Sequence, residues 1–431
     1  MTNRLSLVST VNKNFSYLII AQGIYKILAF LTFIFIARYL GAEAFGRLSY
    51  ALSFVAFFML IADFGVSDLM VREVAGERQD KGSRYINNIS SLKFSLSLIT
   101  YAAIILIVLI LRETKEMFSI VAILGLAMIL DSYTIFLKSI FRVFEKMEYE
   151  AMSILLEGIL KLGFVLMIVR NISANALLFS QVFLLISIIT LIFTVFITRI
   201  KFIHLKLCFD FKFWKKLLIG GTPFAILIFF HVINFRIDTV MLSKITNNII
   251  TGWYSVAARL IEPILIIPTT FTVAVFPVVS RLAKTSEKSL ALIYYTSLKV
   301  LFLSSIVLVI ILYIGAGFFI PLLFGKEFVK SIPTVRILGF VLIPIFLRFF
   351  LDTFVLALNK PNILFINYVI GTSINILMNL ILIPKFKIFG CCLATISSEL
   401  IMVGFCIFWI RKNLPQAIKT KIDSQWLLLN W

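Results

Sequence analysis

The sequence predicts an all-α polytopic membrane protein with about twelve transmembrane helices. Of its 431 residues, 61% are hydrophobic and 14% are charged, whereas soluble domains are roughly half apolar and about a quarter charged. The apolar residues form continuous runs of about 20 residues, the length that crosses a bilayer as a helix. They do not alternate with polar residues, which excludes a transmembrane β-barrel.

Twelve apolar runs are predicted to span the membrane. No cleavage site of small residues follows the first run, so we expect it to be retained as a span. Lys and Arg are more than twice as frequent in the connections that would share the cytoplasmic side with both termini as in the opposite loops. This bias favours cytoplasmic termini. The predicted spans are 15–37, 46–69, 89–111, 117–140, 150–170, 174–198, 217–241, 253–276, 290–314, 333–357, 362–384 and 389–410.

The connection 199–216 lies at the midpoint of the chain and separates two sets of six spans. It carries six basic residues together with Phe209, Phe211, Phe213 and Trp214, a composition that suits an anionic cytoplasmic membrane surface. The predicted organisation is an N-terminal six-helix lobe at 1–198, a basic cytoplasmic linker at 199–216, a C-terminal six-helix lobe at 217–411 and a cytoplasmic tail at 412–431.

The sequence carries no recognisable catalytic or metal-binding motif. It lacks the nucleotide loop G-x-x-x-x-G-K followed by Ser or Thr, and it lacks H-E-x-x-H and G-x-S-x-G. Its four cysteines and two histidines show no metal-ligand spacing. The net charge of +20 is explained by membrane topology, so we predict no nucleic-acid partner. We expect no enzyme activity, no metal and no cofactor.

Ionisable residues inside the predicted spans are the candidate functional residues, because a charge is costly in lipid. Lys26 has no acid in its own span, and Arg236 lies two residues from Asp238, on a different side of the helix. These two cations need partners elsewhere. Other ionisable residues are spaced to pair along one helix face, which leaves structural ion pairing open for them. They are Glu157 with Lys161, Arg259 with Glu262, and Arg348 with Asp352; Asp63, Asp131 and Glu399 complete the set.

Several short motifs occur in a fixed order between about residues 10 and 410. This ordered set resembles the oligosaccharide-lipid flippases, of the O-antigen translocase type, in the multidrug/oligosaccharidyl-lipid/polysaccharide exporter superfamily. The motifs are R-x-L-G-x-x-x-F-G at 38–46, A-D-F-G at 62–65 followed by Arg72-Glu73, D-x-x-x-L at 238–242, G-W-Y-S-V-A-A-R at 252–259, Phe276-Pro277 and Asn359-Lys360-Pro361.

The resemblance implies two six-helix lobes around a central cationic cavity. It implies transport of undecaprenyl-diphosphate-linked oligosaccharide, for O-antigen or a similar surface polysaccharide, from the inner to the outer leaflet of the bacterial inner membrane by alternating access. Membrane lipids, a polysaccharide polymerase and a chain-length regulator are the expected partners. The predicted substrate-binding residues are Lys26, Arg236, Arg259 and Arg348, and the predicted coupling or ion-pair carboxylates are Asp63, Asp131, Asp238 and Glu262.

Two other functions compete with this prediction. A cation-coupled multidrug exporter of the same superfamily would favour cationic drugs, and the basic residues inside the spans argue against it. A membrane glycosyltransferase or polymerase is opposed by the short outer loops, which carry isolated acids such as Glu113 and Glu116. Transport therefore ranks above catalysis.

Overall fold

The structure is a computed structural model that describes residues 2–74, 79–171, 175–206 and 208–413. Within these ranges, helices are the only regular secondary structure. The chain divides into two compact units, Met1–Val240 and Met241–Trp431. The predicted tail at 412–431 lies, from residue 414 on, outside the described residues.

The helices are numbered in chain order, and short 3₁₀ turns lie between some of them. They are α1 (Thr2–Asp63), α2 (Val66–Val74), α3 (Gln79–Ile110), α4 (Lys115–Val143), α5 (Met147–Asn171), α6 (Ala176–Lys201), α7 (Phe211–Ile245), α8 (Asn248–Ile261), α9 (Ile266–Thr285), α10 (Glu287–Phe324), α11 (Ile332–Leu338), α12 (Leu342–Ala357), α13 (Pro361–Phe386) and α14 (Ile388–Asn413).

Ten helical segments of the described residues are long and apolar enough to cross a bilayer, judged by length and composition. The first, Tyr17–Val74, is broken at Gly41, where φ is 72° and ψ is 177°. Glycine adopts this conformation readily because it lacks a Cβ. The break separates the first two predicted spans, and α7 corresponds to the predicted span 217–241. The prediction of an all-α protein with about twelve membrane helices is confirmed.

In the first unit, α1 packs against α4 and α5, and α4 packs against α6. The turn that ends α1 lies tightly against α7, because a Cβ placed on Gly65 would come within 2.6 Å of the carbonyl oxygen of Gly221. Gly65 also has a φ of 69°. Both the close approach and the backbone conformation therefore require glycine at the end of the A-D-F-G motif.

The predicted linker packs along α3. The backbone N–H of Lys206 donates to Oδ1 of Asn87 at 2.9 Å, and that of Cys208 donates to Oγ of Ser91 at 2.7 Å. Trp214 joins a buried apolar cluster that includes residues of α2, α3 and α4. The linker thus forms part of the first compact unit, while the division into lobes at 198 and 217 stays a prediction.

In the second unit, α12 packs against α9, α10, α13 and α14, and α13 packs against α14. A 3₁₀ turn at Glu262–Leu265, with Pro263 in its first turn, interrupts the span made of α8 and α9. A second 3₁₀ segment, Lys326–Ser331, follows α10 at the position where the sequence predicts an outer loop. The central position of α12 places its polar residues inside the unit.

Polarity is distributed as expected for a protein surrounded by lipid. Large apolar side chains are widely exposed, among them Ile110, Ile314 and Phe318. Lys93 and Asn367, by contrast, are fully buried. Because lipid solvates apolar side chains and does not solvate charges, the buried polar groups are where function and specific stabilisation concentrate.

Candidate functional site

A cavity of about 220 Å³ lies in the first unit among residues of α1, α4, α5 and α6. Its polar lining consists of Tyr25, Thr32, Asp131, Lys161 and Ser187. Apolar side chains complete the lining; they include Phe33, Leu52, Met59, Met128 and Phe183. A space of this size with several polar partners can hold water molecules or a small polar group.

Glu157 of α5 is the centre of a hydrogen-bond network beside this cavity. Its Oε1 accepts hydrogen bonds from Nζ of Lys161 at 2.7 Å and from Oη of Tyr25 at 3.0 Å. Its Oε2 accepts from Nζ of Lys138 at 3.4 Å. Three donors from three different helices therefore hold one carboxylate in place, two of them charged.

Asp131 adds a second acid to this network, which we name the Glu157 network. Its carboxylate accepts a hydrogen bond from Ser187 and interacts electrostatically with Lys161. Nζ of Lys161 also lies 6.0 Å from the ring centre of Tyr25, within the range of a cation–π contact. With Lys138, the network holds two acids and two lysines, so its formal charges cancel.

A second buried ion pair in the first unit joins Asp63 to Lys93. Lys93 donates to Oδ1 of Asp63, as does Ser67, and it donates to Oγ of Ser132 at 3.1 Å. The side chains of Lys93 and Asp63 are 0% and 7% exposed. This geometry favours the ion-pair interpretation of Asp63.

In the second unit, Arg348 of α12 is surrounded by acceptors. Its Nε donates to Oε2 of Glu399 at 2.6 Å, and its Nη1 donates to Oδ2 of Asp352 at 3.2 Å. Nη1 also donates to Oη of Tyr368 at 2.9 Å, and that hydroxyl donates to the same Asp352 oxygen at 2.9 Å. We name these four residues the Arg348 network.

The other predicted substrate-binding residues are more accessible than Arg348. Lys26 is exposed and Arg236 is half-buried, while Asp238 beside it is buried. Arg259 pairs with Glu262 at 3.0 Å, and the Arg259 side chain is 16% exposed. The intrahelical pairing that the spacing allowed is therefore present for Arg259, as it is for Arg348.

The sequence identified the intrahelical pairs but missed the partners on other helices. Tyr25, Lys138 and Ser187 were absent from the predicted site, as was Lys93. Both lysines lie inside predicted spans but within five residues of a span end, where a lysine commonly reaches the membrane surface, so their positions do not indicate burial. Tyr25 and Ser187 offer no signal either, since both residue types are common in apolar spans.

A family model described as "Polysaccharide biosynthesis protein" matches residues 11–283. The chain belongs to this family. The chain is 28% identical to an uncharacterized membrane protein of Methanocaldococcus jannaschii over 236 residues, which is 53% of the chain and 45% of that relative, less than half its length. It is 24% identical to the capsular polysaccharide biosynthesis protein CapF of Staphylococcus aureus over 412 residues, which is 93% of the chain and 99% of CapF.

Solved structures share the fold of this chain. The lipid II flippase MurJ, in an inward closed conformation, has a TM-score of 0.73 at 19% identity and covers 95% of this chain and 90% of its own. An inward-facing multidrug resistance MATE transporter of the MOP superfamily has a TM-score of 0.73 at 14% identity, with 94% and 99% covered. At these identities the likeness establishes the fold alone.

Proposed function

We propose that this chain is a flippase for undecaprenyl-diphosphate-linked oligosaccharide. It would carry repeat units of O-antigen or a similar surface polysaccharide from the inner to the outer leaflet of the bacterial plasma membrane by alternating access. The observation that carries the proposal is the family match over 11–283, supported by the alignment with CapF along nearly the whole of both chains. The fold shared with a protein named as a lipid II flippase supports movement of a lipid-linked substrate.

The proposed ligands of the diphosphate are Lys26, Arg236 and Arg259. A diphosphate in hydrocarbon carries a large desolvation cost, which cations on the protein can offset. Arginine suits this role because its planar guanidinium donates two parallel hydrogen bonds to phosphate oxygens. At Arg259 a phosphate would take the place that the Glu262 carboxylate occupies in this structure.

Arg348 is assigned a different role from these three. Its side chain is 4% exposed, and its donors are engaged by Glu399, Asp352 and Tyr368. A substrate phosphate would have to displace two carboxylates to reach it. We therefore assign Arg348 to the ion-pair network and place the substrate on the more accessible cations.

The membrane potential can drive the proposed transport without ATP. An elementary charge crossing 100 mV changes in free energy by about 2.3 kcal/mol, so two negative charges moving outward across about 150 mV gain about 7 kcal/mol. The isoprenoid tail would remain in lipid during this movement. We propose that both termini face the cytoplasm, and that a polysaccharide polymerase and a chain-length regulator act with the flippase.

A cation-coupled multidrug exporter is the second candidate, since a MATE transporter shares the fold. Such an exporter of cationic drugs needs an acidic or apolar binding surface. Placing Lys26, Arg236 and Arg259 at the substrate would repel those drugs. The family match adds weight to the polysaccharide precursor.

The test replaces the proposed ligands singly, as Arg236→Ala and Arg259→Ala, in the native host deleted for this gene. We expect surface polysaccharide to fall at least about tenfold, equivalent to ~1.4 kcal/mol, while lipid-linked oligosaccharide accumulates and the protein level on a blot stays constant. The lysine substitutions should recover part of the export, because an ammonium keeps the charge and loses the fork geometry.

Arg281→Ala is the matched control, because Arg281 is an exposed arginine of α9. It should export at the wild-type level. Abundant alanine variants at 236 and 259 that export normally would contradict the assignment of these cations. A deletion strain with unchanged surface polysaccharide, and with raised sensitivity to cationic drugs, would favour the exporter.

A further inference from the structure

The Arg348 network of the second unit holds more acid than base. Glu399 and Asp352 both contact one guanidinium, and the side chains of all three are between 4% and 14% exposed. With both acids ionised, the formal charge of the network is negative. A buried net charge inside a membrane helix bundle is strongly unfavourable unless it is neutralised.

The helices packed around α12 supply no second base to this network. From α13 and α14, the titratable groups near it are Tyr368, Glu399 and Cys406. From α10, the ring of Tyr294 packs on Phe354 of α12, and the exposed Arg411 of α14 acts electrostatically on Tyr294. The remaining charged residues of α9, α10, α13 and α14 within the described chain are exposed. The excess negative charge therefore has to be removed within the network.

The hydrogen bonds identify the atom where this can happen. Oδ2 of Asp352 accepts from Arg348 and from Tyr368, whereas Oδ1 of Asp352 is buried and has no hydrogen-bond partner among the described residues. Glu399 accepts the 2.6 Å charge-assisted bond from Nε of Arg348, which favours its ionised form. Asp352 is thus the acid whose second oxygen has no hydrogen-bond partner among the described residues.

A second unpartnered oxygen lies on the neighbouring helix α13. Asn367 is fully buried and its Oδ1 has no partner in the part of the chain that the structure describes. Its Nδ2 donates to Sγ of Cys406 at 3.1 Å, and Cys406 is close enough to interact electrostatically with Asp352 and Arg348. Buried acceptors are normally hydrogen-bonded, so each of these two oxygens calls for a donor.

We propose that Oδ1 of Asp352 is a proton-binding site in the second unit. A proton taken from water forms one O–H bond at Oδ1 and makes the network neutral, while both hydrogen bonds to Oδ2 remain. Release of the proton to water restores the negative charge. Since Arg348 contacts α12, α13 and α14 through this network, the proton controls how strongly these three helices are held together.

Coupling of this proton to transport rests on the proposed function, whereas the binding site itself does not. The site can be tested on purified protein in lipid vesicles by infrared difference spectroscopy between acidic and alkaline buffer. Wild-type protein should show the carbonyl stretch of a buried protonated carboxyl group, shifted in D₂O and lost in alkaline buffer. Asp352→Asn should abolish that band.

Two further variants make the result specific. Glu399→Gln should also abolish the band, because the pair of Arg348 and ionised Asp352 is then neutral without a proton. Asp210→Asn is the control and should retain the band, since Asp210 lies in the connection before α7 and pairs with the exposed Arg84. Replacing sodium by choline at fixed pH should leave the band unchanged.

A band that survives in Asp352→Asn would overturn the proposal, as would a wild-type spectrum without such a band. Loss of the band on adding sodium at fixed pH would assign the site to a metal cation and would also overturn it. The export assay tests the proposed function independently of the infrared band. If the band behaves as expected and deletion of the gene leaves surface polysaccharide unchanged, the proton site stands and the proposed function fails.

Discussion

The two units differ in how their buried acids are paired with bases. In the first unit the acid Asp63 forms an ion pair with one lysine, Lys93, and both are held by neighbouring serines. In the second unit Asp352 and Glu399 share the guanidinium of Arg348. A pair of one acid and one base is neutral when both groups are ionised, so it can stabilise the fold without a further proton. A two-to-one arrangement needs one further positive charge to be neutral, and the proposed proton supplies it, so its charge state can change with pH.

The surroundings of the two larger networks also differ. The Glu157 network adjoins a cavity of about 220 Å³, where Asp131 and Lys161 form part of the lining. The Arg348 network contains a buried oxygen without a partner among the described residues. Water in a cavity can hydrate a transient imbalance of charge, whereas a closed network has to be neutralised by its own groups. Removing single charges should therefore affect the two networks differently.

The largest effect is expected from Arg348→Ala. This change leaves Glu399 and Asp352 buried without a cation, and loss of one partner of a buried ion pair costs about 3–5 kcal/mol. We expect little folded protein in the membrane, measured as the monodisperse fraction of a fluorescent fusion in detergent. Lys299→Ala, at an exposed position of α10, should match wild type. A normal yield for Arg348→Ala would show that the network contributes little to folding.

A smaller effect is expected from Lys93→Met, because Ser67 remains to hydrogen-bond Asp63. The single change should still lower stability by about 3 kcal/mol, and adding Asp63→Asn should restore at least about half of the loss, because no unpaired charge is then buried. Thermal unfolding of the four proteins in detergent completes the cycle. A double variant as unstable as the sum of both single variants would argue against a simple structural pair.

The number of membrane helices could be predicted because it depends on the length of apolar runs, which the sequence states directly. Pairs along one helix could be predicted for the same reason, since Arg348 and Asp352 are four residues apart and the ion pair is present at 3.2 Å. Glu399 lies 51 residues from Arg348, and nothing in the spacing of a sequence specifies which helices become neighbours.

The residues of the candidate site were harder to predict than the fold. Lys26 and Arg236 attract attention in the sequence because each lacks an acid on its own helix face. The fully buried Lys93, by contrast, lies near the beginning of a predicted span, where a lysine commonly reaches the membrane surface. Its burial depends on the approach of α1 and α4, each of which supplies an oxygen to Nζ. That approach is a tertiary feature.

The smallest effects should come from Glu157→Gln and Glu399→Gln, which remove the same charge from the two networks. In the first unit the change leaves Lys138 and Lys161 facing Asp131 alone, so one positive charge is unbalanced. In the second unit it leaves Arg348 and Asp352, which balance each other without a proton. We expect Glu157→Gln to cost about 2 kcal/mol and Glu399→Gln below about 1 kcal/mol. Thermal unfolding of both variants at one pH measures this difference.

The sign of this difference in stability distinguishes the charge states of the two networks, because both glutamates are largely buried and both accept charged hydrogen bonds. If Glu399→Gln proved the more damaging, the second network would need both carboxylates ionised, and an uncompensated charge would have to be balanced by a bound cation.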